Sequence, residues 1–256
     1  MYPILFSFGN FRIFSYGLFV ALAFIVAMYY LSYSLNRLEF KIFSQEELSS
    51  FFVYLVFFGI IGARIFYVLT NINEYIVSPL DIFKVWQGGL VYYGGFITVS
   101  IFAIIYCRVR NIQVLYLGDF FAPALALGHS IGRIGCFFSG CCYGKESNLP
   151  WAVVFTDKQS LAVLGEHLHP TQIYESLGNF CIFFILLFYS KKKRRIGNIF
   201  AIYLILYSIL RFVVECFRGD DRGIQYFGLS ISQNMSIILL IIGVLIYARK
   251  ASLRKT

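Results

Sequence analysis

The stretch IYESLGNFCIFFILLFYSKKKRR, residues 173–195, decides the fold of this chain. Its first part is apolar over almost the length that a helix needs to cross a bilayer, which is about 20 residues. Five consecutive basic residues, Lys191 to Arg195, follow directly. An apolar run that ends in a basic run is typical of a transmembrane helix whose basic end stays in the cytoplasm.

The composition of the whole chain agrees with a membrane location. Of its 256 residues, 59% are hydrophobic and only 14% are charged, and the mean hydropathy is +0.73. A soluble domain carries roughly 25% charged residues, because its surface must face water. The net charge of +9 is compatible with a nucleic-acid partner. However, the basic residues lie in short runs between apolar stretches, which is the pattern of membrane topology.

Seven apolar segments predict an all-α polytopic membrane protein, with six or eight spans as alternatives. We interpret residues 1–256 as a single integral membrane domain. The predicted spans are 14–34, 51–70, 89–107, 114–136, 173–190, 197–216 and 233–248. The fourth span is the least regular, because polar residues and a proline interrupt it.

The distribution of Lys and Arg predicts the orientation. With the N-terminus outside, 13 basic residues fall in the inner segments and 6 in the outer ones, and the excess belongs in the cytoplasm. The N-terminus is therefore predicted outside and the C-terminus inside. Residues 139–172 then form a small extracytoplasmic head with a strand-like stretch at 151–155. The first apolar segment is too long for the core of a cleaved signal peptide.

Charged residues inside the spans point to a functional site. A central Arg or Asp costs about 2.5–3.5 kcal/mol on insertion scales, so such residues usually face a bundle interior or a watery cavity. They are Arg64, Asp119, Arg133, Glu175, Arg211 and Glu215. Pairs that lock helices together are the structural alternative, but six charges are a costly way to join seven helices.

The sixth span carries the clearest pattern, in YSILRFVVECFRGDDRG (207–223). Tyr207, Arg211, Glu215 and Arg218 are four, four and three residues apart, which places them on one helix face. Arg binds phosphate oxygens in a bidentate manner, and an adjacent Glu orients it or accepts a proton. The pattern therefore predicts a site for a phospholipid headgroup.

Two further motifs fall near the outer ends of their spans. GRIGCFFSGCCYG (132–144) contains Cys136, Cys141 and Cys142, which can be packing residues, a disulfide, or a metal-binding or reactive thiol. Zinc usually takes four ligands, so we predict no metal. HPTQIYE (169–175) contains His169 and Tyr174; the histidine suits a base near neutral pH, and the motif can equally be structural.

At these residues the chain resembles the bacterial prolipoprotein diacylglyceryl transferases, over essentially its whole length. The motifs that carry the resemblance are YGLFVALAF from Tyr16, GARIFYVL around Arg64, WQGGLVYYGG (86–95), GR-x-G (132–135), HPTQIYE and YSILRFVVECFR. Their order and spacing together are specific.

The resemblance implies a seven-span enzyme of the bacterial inner membrane that acts near the outer leaflet, without a cofactor. It would transfer the diacylglyceryl group of phosphatidylglycerol to the lipobox cysteine of prolipoproteins and release glycerol-1-phosphate. We expect a monomer and no nucleic-acid partner. The implied catalytic residues are Arg133, His169, Tyr207, Arg211 and Glu215. The implied substrate-binding residues are Tyr16, Arg64, Gly94, Gly95, Tyr174, Glu175 and Arg218.

The chain departs from the family signature GR-x-G-N-F-x-N-x-E-x-x-G at three positions. Cys136 and Ser139 replace the two asparagines, and Cys141 replaces the glutamate. Tyr93 stands where the family has a histidine. Two alternatives therefore stay open: a related phospholipid-dependent glyceryl or glycerophosphate transferase with another acceptor, and a transporter or redox membrane protein.

Overall fold

Seven long helices make up most of the structure. A computed structural model describes residues 2–8, 11–37, 42–84, 88–191, 195–221, 226 and 228–249. The helices in these residues are α1 (Ser15–Arg37), α2 (Gln45–Thr70), α3 (Ile72–Val77), α4 (Tyr92–Val109), α5 (Val114–Ser139), α6 (Thr171–Ser190), α7 (Asn198–Cys216) and α8 (Ile231–Ala248). All except the short α3 are long and apolar enough to cross a bilayer. The predicted all-α polytopic class is confirmed.

Four short strands and a 3₁₀ helix complete the described fold. The strands form two antiparallel pairs, β1 (Ile4–Phe8) with β2 (Phe11–Phe14) and β3 (Val153–Val154) with β4 (His167–Leu168). The first pair directly precedes α1 and was not predicted. The second lies in the 139–172 segment, where β3 falls inside the predicted strand-like stretch. The 3₁₀ helix, Pro79–Phe83, follows α3.

Polar first turns extend two helices beyond their predicted starts. Before α2, Ser44 Oγ accepts a hydrogen bond from Glu47 N at 3.1 Å, and Glu47 Oε2 accepts one from Ser44 N at 2.9 Å. Ser230 and Gln233 form the same reciprocal pair before α8. Such capping boxes satisfy backbone N–H groups that have no partner within the helix. Hydropathy detects the apolar part of a span and overlooks these turns.

Part of the orientation signal lies outside the described residues. The basic residues that contribute to this signal and lie outside the described residues are Lys41, Lys192, Lys193, Arg194, Arg222, Lys250, Arg254 and Lys255. Trp86 and Gln87 of the glycine-rich motif also lie outside the described residues. The predicted orientation, with the N-terminus outside, depends on the sequence and stays a prediction.

The chain divides into two compact units. One contains residues 1–39 and 118–256, and the other contains residues 40–117. In the first unit α7 packs along α8 and α6, and in the second α2 packs along α4. The prediction of one integral membrane domain over 1–256 stays a prediction.

Asp119, buried in α5, holds the start of α7 within the first unit. Its Oδ2 accepts a hydrogen bond from Gly197 N at 2.6 Å, and its Oδ1 accepts one from Phe200 N at 2.9 Å. The N-terminus of a helix favours a negative charge and needs acceptors for its N–H groups. This intramembrane acid therefore has a structural role.

Glycines allow α2 and α4 to approach closely within the second unit. A Cβ added at Gly94 would lie 2.5 Å from Gly62 O and 2.5 Å from Phe66 Cβ, and one added at Gly95 would lie 2.8 Å from Gly59 O. Any side chain at these two positions would separate the helices. Gly94 and Gly95, predicted to bind substrate, thus have a packing role in the structure.

Replacing Asp119 with Asn should lower the stability of the protein. The amide can accept only through its oxygen, so its NH₂ group would face one of the two N–H donors. A buried donor left without a partner costs about 1–3 kcal/mol, and the unfolding midpoint in detergent should fall. Glu46→Gln, at an exposed position in the first turn of α2, is the matched control. Equal midpoints for the two variants would contradict the capping role.

Replacing Gly94 with Ala should also destabilise the protein, by about 1–3 kcal/mol, because overpacking forces backbone and side chains apart. Thermal unfolding in detergent measures the effect. Gly17→Ala is the matched control, since no described atom would lie within 4 Å of its added Cβ. An unfolding midpoint of the Gly94→Ala variant equal to that of the Gly17→Ala control would contradict the close contact between α2 and α4.

Candidate active site

Charged side chains from three helices of the first unit meet in one network. Arg133 comes from α5 and Glu175 from α6, whereas Arg211 and Glu215 come from α7 and Arg218 follows its end. All of them except Arg133 are buried, and Arg133 has a side chain that is only 14% exposed. Buried charges require close partners.

Glu175 lies at the centre of this network, with 1% of its surface exposed. Its Oε1 is 2.9 Å from Arg133 Nη2, and its Oε2 is 3.8 Å from Arg211 Nη1. One carboxylate therefore connects α5, α6 and α7. The family resemblance implies a supporting role in substrate binding for Glu175, and in the structure its carboxylate lies where it orients both arginines.

The predicted face of α7 continues the network. Glu215 Oε2 lies 2.8 Å from Arg211 Nη2 and 4.0 Å from Arg218 Nε. The spacing of four and three residues thus brings the side chains together as helical geometry requires. Beyond the helix, Asp220 binds Arg218 in a bidentate manner, with Oδ1 2.8 Å from Nε and Oδ2 2.5 Å from Nη2.

Sequence reasoning missed Asp220 and two serines at the start of α8. Ser230 Oγ donates to Glu215 Oε1 at 2.7 Å, and Arg211 Nη2 donates to Ser232 Oγ at 3.0 Å. The capping pattern at Ser230 was a signal for a helix start, but only the packing of α8 against α7 places these hydroxyls on the charged groups.

Two guanidinium donors in the network remain available. Arg133 Nε and Arg211 Nη1 are buried and have no hydrogen-bond partner among the described residues. The charges of the network are balanced, since three arginines face the carboxylates of Glu175, Glu215 and Asp220. Glu175 Oε1, although 2.9 Å from Arg133 Nη2, also has no hydrogen-bond partner of good geometry among the described residues. An anion with several oxygen atoms would satisfy the two remaining donors.

Aromatic side chains and a histidine flank the network. His129 Nε2 is 3.7 Å from Glu175 Oε1, and the His129 ring centroid is 5.3 Å from that of Tyr207. The backbone of Tyr16 packs against Gly135, because a Cβ added there would lie 3.3 Å from Tyr16 Cα. Tyr16 and Tyr207 therefore lie within the first unit, near Arg133.

The segment after α5 joins the start of α6 to the end of α7. Gly144 N donates to His169 O at 3.0 Å, His169 N donates to Lys145 O at 2.9 Å, and Lys145 N donates to Phe217 O at 2.8 Å. A Cβ at Gly144 would lie 2.6 Å from His169 O. These backbone bonds hold His169 beside the end of α7.

His169 borders an apolar groove of about 520 Å³. Its Nδ1 is 3.1 Å from Tyr174 Oη, which also accepts a hydrogen bond from Trp151 Nε1 at 2.7 Å. The groove is lined by Leu149, Trp151, His169, Tyr174, Leu210, Val213, Val214 and Phe217. The contact between Nδ1 and Tyr174 Oη orients the His169 ring at the edge of the groove.

The three cysteines of the first unit's GRIGCFFSGCCYG motif converge. The Sγ atoms of Cys136, Cys141 and Cys142 all lie within 4.8 Å of one another, and all three are free thiols. Hydrogen bonds from the other two thiols lower the pKa of the Cys142 thiol. The guanidinium groups of Arg218 and Arg133 lower this pKa further, because positive charge stabilises the thiolate.

Arg64 belongs to the second unit and binds backbone there. Its guanidinium donates to Ile82 O at 2.9 Å, Asp81 O at 2.6 Å, Gly88 O at 2.9 Å and Gly89 O at 3.1 Å. Gly88 and Gly89 both have positive φ, a conformation that favours glycine. Arg64 therefore secures the segment that leads into α4, and its predicted role in substrate binding stays a prediction.

Comparison with known proteins agrees with the resemblance drawn from the motifs. A family model described as prolipoprotein diacylglyceryl transferase matches residues 3–249. A phosphatidylglycerol–prolipoprotein diacylglyceryl transferase of Clostridium tetani is 37% identical over 247 residues, which cover 96% of this chain and 97% of the relative. Similar relatives occur in Clostridium perfringens (37% over 237 residues, covering 92% and 90%) and Finegoldia magna (36% over 242 residues, covering 94% and 92%). The chain belongs to the prolipoprotein diacylglyceryl transferase family.

Proposed function

We propose that this protein transfers the diacylglyceryl group of phosphatidylglycerol to the cysteine thiol of a prolipoprotein and releases glycerol-1-phosphate. The observation that carries the proposal is the buried network around Glu175, in which Arg133 and Arg211 keep unsatisfied donors. The names of the relatives, which are phosphatidylglycerol–prolipoprotein diacylglyceryl transferases, support the same reaction.

The arginines would bind the phosphate of the lipid. Arg133 Nε and Arg211 Nη1 are the donors without partners among the described residues. Glu175 and Glu215 hold the two guanidinium groups in fixed orientations. Preorganised donors stabilise charge that develops on a leaving group, because they need no reorganisation during the reaction. Here that leaving group is glycerol phosphate.

The apolar groove would bind the acceptor next to this site. Its aliphatic and aromatic lining suits the apolar segment that carries the acceptor cysteine. His169 borders the groove. We assign it the role of the base that accepts the proton of the acceptor thiol, since a thiol attacks as its thiolate. Tyr174 orients the imidazole ring.

The predicted orientation supports a reaction near the outer leaflet of the bacterial inner membrane. With the N-terminus outside, the end of α5, the start of α6 and the end of α7 all lie on the outer side. Phosphatidylglycerol then reaches the arginines from the bilayer, and the prolipoprotein presents its thiol at the interface. The proposal includes a monomer, since residues of a single chain are enough to form the network.

Replacing Arg211 with Ala should lower the transfer rate by at least about 100-fold, as expected for removal of a preorganised donor to a developing anion. The assay uses proteoliposomes with labelled phosphatidylglycerol and a lipobox peptide, with the product identified by mass. Arg110→Ala is the matched control. Arg110 forms an exposed pair with Glu47, and such pairs contribute little. Full activity of the Arg211 variant would refute the proposed site.

Replacing His169 with Gln should lower kcat by about 10²–10⁴-fold, the usual contribution of a general base. The KM for phosphatidylglycerol should stay unchanged, because the phosphate is bound by the arginines. His167→Gln, an exposed position two residues away in β4, serves as the control. A change confined to KM would show that His169 only binds lipid.

A further inference from the structure

We infer that Cys136, Cys141 and Cys142 form a three-thiolate site for a thiophilic divalent cation such as Zn²⁺, with a fourth coordination position open to an external thiolate. That this external thiolate is the acceptor cysteine rests on the function proposed above. The inference differs from the sequence-based expectation of no metal, which followed from the lack of a fourth ligand in the motif.

The distances between the sulfur atoms suit such a site. Zinc binds thiolate sulfur at about 2.3 Å in tetrahedral geometry, which places ligand sulfurs about 3.8 Å apart. The three Sγ atoms already lie within 4.8 Å of one another, so each pair has to close by about 1 Å at most. A disulfide would bring only two of them to about 2.05 Å and leave the third thiol without a role.

The backbone that carries two of the thiols is held by the start of α6. Gln172 Nε2 donates to Cys141 O at 2.8 Å, and Thr171 Oγ1 donates to Cys142 O at 2.7 Å. Both of these α6 side chains are 1% exposed. Cys142 has φ of 64°, a left-handed conformation that is uncommon for a residue other than glycine. The turn is thus held in a form that brings both of its thiols to within 4.8 Å of Cys136 Sγ.

A second set of contacts surrounds the sulfurs. Ser139 Oγ donates to Cys141 Sγ at 3.2 Å, and the positive charge of Arg218 interacts with the Cys142 thiol. Three thiolates and a divalent cation leave one negative charge, which lies in the field of the Arg218 and Arg133 guanidinium groups. Hydrogen bonds from outside the ligand set orient metal ligands and tune their affinity.

The number of ligands indicates an open site. Among the residues that the structure describes, no other His, Cys, Asp or Glu joins these three thiols in the group. Structural zinc sites usually have four protein ligands, whereas catalytic ones have three and keep the last position for water or substrate. A thiol that enters this position loses its proton outright.

The resulting step is balanced. The acceptor thiol binds the cation, and its proton passes to His169 or to water. The bound sulfur then uses an electron pair to form a C–S bond with the glyceryl carbon, while the C–O bond to phosphate breaks. Glycerol phosphate leaves with the electrons of that bond, and the cation keeps its oxidation state. Arg133, which precedes Cys136 by three residues on α5, would contact both the phosphate and the thiolate site.

Titration of the purified full-length protein with Co²⁺ tests the site. Cobalt bound by three thiolates gives intense thiolate-to-metal absorption in the near ultraviolet and tetrahedral bands in the visible. We expect one Co²⁺ per chain, displaced by Zn²⁺. Cys141→Ser and Cys142→Ser should each weaken binding by more than about tenfold. Cys181→Ser is the control, since Cys181 is exposed on α6 and lies outside the group.

The visible spectrum of the Co²⁺ protein tests whether the fourth coordination position is open to an external thiolate. This test needs no measurement of diacylglyceryl transfer. A lipobox peptide with Cys should shift the visible bands of the Co²⁺ protein, and the same peptide with Ser should not. Failure of the wild-type protein to bind Co²⁺ overturns the inference, as does a disulfide among the three cysteines in the purified protein. Unchanged bands with the Cys peptide overturn the open position.

The outcomes separate this inference from the proposed function. Transfer by a Cys136→Ser, Cys141→Ser, Cys142→Ser triple variant at the wild-type rate overturns the metal's role and leaves the transferase proposal intact. Co²⁺ binding and a peptide-dependent spectral shift in a wild-type protein without transfer activity support the thiolate site and refute the proposed reaction. If a Ser variant fails to fold, the Co²⁺ spectrum and the zinc content of the wild-type protein decide whether the three thiols bind a metal ion.

Discussion

A carboxylate buried among apolar helices needs positive partners, and Glu175 obtains them from both sides. Its two oxygens face Arg133 of α5 and Arg211 of α7. Each of these helices carries a charge that is costly in a bilayer unless another helix supplies the counter-charge. The packing of α5, α6 and α7 in the first unit therefore depends on this three-residue contact, and so does the site built around it.

The same contact links stability to chemistry. Removing one partner of a buried ion pair leaves an uncompensated charge and costs about 3–5 kcal/mol, so the network resists rearrangement. That resistance is useful in a transferase, because donors held in place by Glu175 and Glu215 need not reorganise when charge develops on a leaving phosphate. Arg133 and Arg211 thus stabilise the helix packing, and each also has a guanidinium N–H group without a hydrogen-bond partner among the described residues.

The segment between α5 and α6 brings further side chains beside this network. Its backbone bonds to His169 and Phe217 join the two ends of the site, and its turn brings Cys141 and Cys142 to Cys136. The sulfurs, the arginines and the groove beside His169 consequently belong to one compact unit. The proposed transfer of a lipid group to sulfur uses the arginines and the groove, and the inferred thiolate site lies beside them.

The sequence by itself determined the membrane class, the seven spans and the helical face of α7. These properties depend on apolar length and on a spacing of three or four residues, both of which are local. It also singled out the motifs that identify the family. Helix starts at Ser44 and Ser230 were set too late, because hydropathy does not register polar capping turns.

Only the tertiary structure decided which charges meet. Residue type and apolar surroundings do not distinguish Asp119, which caps α7, from Glu175, which bridges two arginines, since both are acids inside apolar spans. Arg64 donates to four carbonyl groups of its own unit, a contact that its place in the sequence did not predict, and its role in substrate binding stays a prediction. Ser230 and Ser232 joined the site, and three cysteines converged, through contacts between residues far apart in the chain. Such contacts depend on how helices pack, which residue spacing along one helix does not specify.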